Sequence, residues 1–127
     1  MLLDESADEK AGDKSAGAGR QYNGRFGKVD MSQVEVFLAY ANLIVPQSVW
    51  TWVEGDLFLP EAWFNKEHAE LRQHLGVPKD LQFQTKVEIG WKLIERVTSN
   101  GLPFEVINCD CLYVCANGYV LKCVIKL

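Results

Sequence analysis

Residues 85–110 read TKVEIGWKLIERVTSNGLPFEVINCD, and this stretch decides the class of fold. Thr85-Lys86-Val87-Glu88 has the form of a capping box, in which a Thr hydroxyl and a Glu carboxylate satisfy free amides at a helix start. Val87, Trp91, Ile94 and Val97 follow at helical spacing and predict one apolar stripe. Asn100-Gly101 stops the helix, and Pro103 enforces the stop. Phe104 to Cys109 is then a short strand of buried type that runs directly into Asp110.

Working upstream, Val77-Pro78-Lys79-Asp80 is a turn. Before it, a helix is expected from Glu61 or Asn65 to Leu75, with Gly76 as its C-terminal cap. Val49 to Leu59 alternates as a strand between Pro46 and Pro60. Val34 to Tyr40 alternates with both faces fairly apolar, which suits a central strand. Residues 10–28 are rich in Gly and read as a loop or hairpin, not a helix. Met1-Leu2-Leu3 is a strand stub leading to Asp4. Downstream, Tyr119 to Leu127 alternates weakly and is a doubtful last strand. Strands, then two helices, then a returning strand predict an α/β chain with a mixed sheet of three to five strands and two helices packed on it.

The 127 residues suit one compact domain, and the net charge of −4 argues against a wholly basic nucleic-acid coat protein. No apolar run is long enough to span a bilayer, and residues 1–20 lack the apolar core of a signal peptide, so the cytoplasm is the expected location. Cys109, Cys111, Cys115 and Cys123 are expected as reduced thiols, their spacing matching no common zinc pattern. His68 and His74, six apart, do not share a helix face as metal ligands would and are expected to face solvent. The four Trp are expected in the core rather than as stacking platforms. Lys10, Lys14, Arg20, Arg25 and Lys28 stand against Asp13 alone in residues 10–28. They fit either phosphate-backbone contacts or a solvated loop.

Asp4 and Asp110 each follow a short apolar strand. If those strands were neighbours in one sheet, the two carboxylates would meet at the strand ends, where α/β sheets often place ligands. Adjacent carboxylates repel when ionised, and a hard divalent cation relieves the repulsion. On spacing alone the plainer reading is better: acidic residues at strand ends commonly form turns.

The motifs between them reverse that preference. Asp4-Glu5-Ser6, Lys10, Gly12, Ser15, Gly19-Arg20-Gln21-Tyr22-Asn23-Gly24 and Gly27-Lys28-Val29-Asp30 resemble the start of the DDE-type transposases of bacterial insertion sequences. The resemblance continues through QVEVFLAYAN (residues 33–42), WTWVEGDLFLPEAW (50–63), Leu75-Gly76-Val77-Pro78, FQTKVEIGW (83–91) and Gly101-Leu102-Pro103-Phe104, up to Cys109-Asp110. It covers residues 2–113. Each motif is loose, but their common order is specific.

The resemblance implies an incomplete ribonuclease-H-like fold over residues 1–113, truncated at both ends, followed by a divergent, out-of-frame or degenerate tail at 114–127. It implies Mg2+- or Mn2+-dependent cleavage and transfer of DNA at transposon ends, with Asp4 and Asp110 as the first two catalytic, metal-holding carboxylates. A downstream Glu would complete the set, yet no Asp or Glu follows Asp110. Cys111 stands where the family usually has a second acid, and Val114 where it has Gly. The expectation is therefore a catalytic-domain fragment inactive alone. The alternatives are a non-enzymatic protein that binds or inhibits full-length transposase, or a pseudogene product without function. No membrane partner is expected.

Overall fold

The computed structural model describes residues 1–42 and 48–114. Its strands are β1 (Leu2–Glu9), β2 (Gly19–Asn23), β3 (Lys28–Asn42), β4 (Val49–Phe58) and β5 (Asn108–Cys109). Its helices are α1 (Ala69–His74), α2 (Lys86–Ser99) and the single turn α3 (Cys111–Val114). The sheet runs β2-β3-β1-β5, with β4 also paired to β3. β1 and β5 are parallel while β2 and β3 are antiparallel, so the sheet is mixed. This is the expected α/β class and accords with a ribonuclease-H-like domain. Among the described residues no helix is long and apolar enough to cross a membrane.

The chain divides into two compact units. The first comprises Met1–Glu5, Val36–Asp56 and the chain from Lys86 onward. Its core joins Leu3, Val36, Leu38 and Ile107 from strands and loop to Ile89, Leu93, Ile94 and Val97 of α2. The apolar stripe of α2 is thus centred one position off the expected line, with Val87 and Trp91 only half-buried. The helix ends where the sequence placed its stop. Gly101 takes φ +74, Gly101 N donates to Thr98 O at 3.0 Å, and Leu102 N donates to Val97 O at 3.1 Å. That is a Schellman cap, and its left-handed residue favours glycine. Arg96 ties α2 to β4 with a two-carboxylate clamp, Nη1 to Glu54 at 2.7 Å and Nη2 to Asp56 at 2.6 Å. These neighbours hold the guanidinium pKa above its ordinary value, chiefly through the hydrogen bond to Asp56.

The second unit comprises Ser6–Glu35 and Leu57–Thr85. Its Gly-rich segment is the hairpin β2–β3, in register from Gly19↔Ser32 to Asn23↔Lys28. Asn23 builds the turn: its carbonyl accepts from Gly27 N at 2.9 Å, and its side chain reaches the buried Ser32 Oγ at 3.1 Å. Val34, Leu59 and Trp63 supply apolar core.

Several expectations need correction. β1 is not a stub but runs to Glu9, because ladder bonds in a sheet override the weak strand preference of its acidic residues. The strand expected over Phe104–Cys109 shrinks to Asn108–Cys109, which pairs with Leu2 and Leu3 of β1, and Asn108 N donates to Met1 O at 2.8 Å. The helix expected up to Leu75 is broken into 3-10 turns at Glu61–Phe64 and Lys66–His68 and then α1. Asn65 between them is extended, at φ −71 and ψ 161. Gly76 does end it in the left-handed region, at φ +72. His68 is half-buried rather than solvent-facing, its ring 5.0 Å from that of Trp63. His74 is exposed as expected. Only Trp63 of the four Trp is fully in the core; Trp50 and Trp52 are exposed. The expected last strand at 119–127 and the sites of Cys115 and Cys123 lie outside the described residues.

Candidate active site

The pairs Leu2↔Asn108 and Leu3↔Cys109 align β1 with β5. Asp4 and Asp110 are each the next residue after the last pair, on neighbouring parallel chains that in sheets lie about 4.8 Å apart. Leu3 is buried, so alternation turns Leu2 and Asp4 to the other face, where both are exposed. Asn108 and Asp110 are exposed with them. The structure thus brings together the two carboxylates that the sequence singled out. They line a groove of about 540 Å3 shared with Ala39, Trp50 and Trp52.

Local bonds fix each carboxylate. Asp4 Oδ1 accepts from Glu5 N at 2.9 Å. Asp110 Oδ1 accepts from Leu112 N at 2.9 Å, which makes Asp110 the cap of α3. Behind them sits a link that sequence reasoning missed. Glu5 Oε2 accepts from Tyr113 Oη at 2.8 Å, and Glu5 Oε1 is 3.3 Å from Lys86 Nζ. Glu5 follows Asp4 and Tyr113 belongs to the turn that Asp110 caps, so one hydrogen bond couples the two carboxylate-bearing segments. The only signal in sequence was that Glu5 lies in the Asp4-Glu5-Ser6 motif and Tyr113 at the end of the transposase-like stretch 2–113.

Burial, reinforced by the hydrogen bond and charge of Glu5 and by the charges of Asp110 and Asp4, pushes the Tyr113 hydroxyl pKa well above its usual value. Tyr113 therefore stays a neutral donor at physiological pH. Its folded pKa exceeds its unfolded one, so the folded state holds this proton more tightly. The resulting stability is intact below the unfolded value of 10.0 and is lost as pH rises beyond it. The expected slope above that point is about 1.4 kcal/mol per pH unit. Tyr113→Phe should cost about 2 kcal/mol at neutral pH, as a hydrogen bond to a charged group is lost. It should also remove this share of the alkaline slope. Urea unfolding of both proteins at neutral pH and above pH 10 measures both effects.

The donor set suits a hard divalent cation. Both donors are carboxylates, both are exposed, and Mg2+ is ordinarily held by one or two carboxylates with water and phosphate oxygens completing its shell. Among the described residues no group of three or more His, Cys, Asp or Glu side chains is arranged to hold a metal. Glu5 is engaged by Tyr113 and Lys86 rather than supplied to the pair.

The five cations picked out in sequence lie in the second unit. Lys10 pairs with Asp8 at 2.9 Å and Lys28 with Asp30 at 2.7 Å. Lys14, Arg20 and Arg25 are exposed, and Arg25 lies over the Phe26 ring at 5.6 Å.

The family model described as DDE superfamily endonuclease matches residues 1–118. No match was found among curated proteins or solved structures. The chain that sets Asp4 beside Asp110 therefore belongs to the DDE superfamily endonucleases.

Proposed function

We propose that Asp4 and Asp110 are the first two carboxylates of a divalent-cation site for DNA strand cleavage and transfer, as in the insertion-sequence transposases that the sequence resembles. The β1–β5 register, which makes the two residues neighbours, carries this reading. When bound, Mg2+ or Mn2+ would polarise a phosphoryl oxygen and activate the attacking hydroxyl. The chain's own part is to hold the two carboxylates on one face and to keep their segments together through Glu5 and Tyr113. In this reading the exposed Lys14, Arg20 and Arg25 would meet phosphate backbone, with Lys10 and Lys28 contributing less because each pairs with a neighbouring carboxylate.

Among these 127 residues no Asp or Glu follows Asp110, so in this reading they supply two carboxylates of the centre and are inactive by themselves. In this reading residues 114–127 are a divergent tail. A DNA-nicking assay in Mg2+ and in Mn2+ should give no cleavage above background. Efficient nicking that disappears in Asp4→Asn would overturn the inactivity.

A second reading rests on the sheet edge. Among the described residues β5 ends the strand order. A sheet edge leaves backbone donors and acceptors open to pairing with another chain, here an intact transposase. Co-purification with an intact relative would support it, and a monomer with no affinity for that relative would refute it.

A further inference from the structure

We propose that Trp50 and Trp52 form a stacking platform for an unpaired nucleobase of DNA, in the groove that Asp4 and Asp110 also line. The proposal rests on the reading of those carboxylates as a DNA-processing centre.

The exposure of these indoles is selective. Trp63 is 2% exposed and its N–H donates to Ala18 O at 2.8 Å, whereas Trp50 is 69% and Trp52 57% exposed. Their ring centroids are 6.4 Å apart and their planes meet at 83°. Phe37 lies 4.9 Å from the Trp52 ring and backs it. A flat ligand therefore meets the face of one indole and the edge of the other. Both indoles line the groove whose polar members are Asp4, Asn108 and Asp110.

That mixture selects the occupant. Stacking on indole needs a flat π-surface, and the Asn108 amide offers a donor and an acceptor to a polar edge. Asp4 and Asp110 repel anions unless a cation lies between, and a nucleotide phosphate brings the cation that both sides need. An apolar protein segment laid in the same groove would desolvate both carboxylates with nothing to compensate them. Inside a duplex the faces of each interior base are covered by its neighbours, so an unpaired base can use the platform where an interior paired base cannot.

Intrinsic tryptophan emission of the full chain, titrated with a short mixed-sequence DNA single strand and with the same strand in a duplex, tests the idea. The single strand should quench the emission saturably, and the duplex should bind without comparable quenching. Trp50→Leu/Trp52→Leu should lose the quenching and bind the single strand about tenfold more weakly, since stacking on an aromatic contributes substantially per base. Trp50→Phe/Trp52→Phe should keep the affinity. Both substitutions fall on exposed side chains, and an unchanged unfolding midpoint shows that the fold is retained. Unchanged quenching or affinity in the Leu variant would overturn the proposal. So would a Leu variant that turns a dimer into a monomer while single strands never quench the wild type, since the occupant would then be a second copy. Asp4→Asn separates the two readings: base quenching should persist there while its enhancement by Mn2+ is lost. Quenching without any Mn2+ effect in the wild type would sink the carboxylate reading and leave the platform standing.

Discussion

Trp63→Ala is expected to lower the stability of the protein by about 5 kcal/mol. The indole is 2% exposed, and truncating a buried Trp to Ala typically costs about 3–5 kcal/mol through lost burial and the cavity left behind. A second cost adds to the first. Trp63 Nε1 donates to Ala18 O at 2.8 Å, and Ala18 is itself buried. Removing the donor strands that carbonyl, at about 1–3 kcal/mol. The His68 ring, 5.0 Å away, also loses the surface on which it lies. A loss of this size is a large fraction of the stability of an ordinary domain, roughly 5–15 kcal/mol. Trp63→Phe retains most of the ring and loses only the hydrogen bond and some volume, so about 2 kcal/mol is expected. Urea unfolding of the two variants beside the wild type measures both numbers. Equal losses would show that the hydrogen bond, not the ring, holds this unit together.

The elements carried by a strong local pattern were legible in sequence. The α2 helix, its glycine stop, the alternation of β3 and the glycine-rich hairpin each follow from the spacing of residues near one another. Elements that depend on a distant partner were not. Nothing in Asp4–Glu9 reads as a strand, because its acidic residues join the sheet by backbone bonding rather than by side-chain preference. Trp50 and Trp52 alternate as core residues would, and only the groove beside Asp4 reveals that their face is open. The Glu5–Tyr113 bond joins residues from opposite ends of the chain, so no spacing could announce it. Asp4 and Asp110 were an intermediate case. Local chemistry favoured two turn residues, the ordered transposase-like motifs favoured a pair, and the β1–β5 register makes them neighbours.

The same register explains why a residue far from either carboxylate in sequence should control both. Gly90, in the middle of α2, faces the strand of Asp4 and the turn of Asp110. A Cβ built there would lie 2.9 Å from Leu3 Cδ2 and 3.2 Å from Tyr113 Cε1. Leu3 and Tyr113 are 2% and 1% exposed, so neither side chain has solvent to move into. Gly90→Ala sets a gain of about 1 kcal/mol in helix preference against this crowding, and a net loss of no more than about 1 kcal/mol is expected. Gly90→Val adds two further methyls in the same space and regains less helix preference, so a loss of about 3 kcal/mol is expected. Its first structural effect should be on the pair. Pushing Leu3 moves the residue before Asp4, and pushing Tyr113 moves the turn that Asp110 caps and strains the bond to Glu5. Mn2+ affinity, followed by the spectroscopic signal of the free ion, should therefore fall by about tenfold in Gly90→Val under conditions where the variant is still folded. Gly90→Ala should stay close to the wild type in both measurements. A Val variant as stable as the wild type would refute the close packing of α2 on Leu3 and Tyr113. A destabilised variant with undiminished Mn2+ affinity would show that α2 supports the fold without positioning the carboxylates.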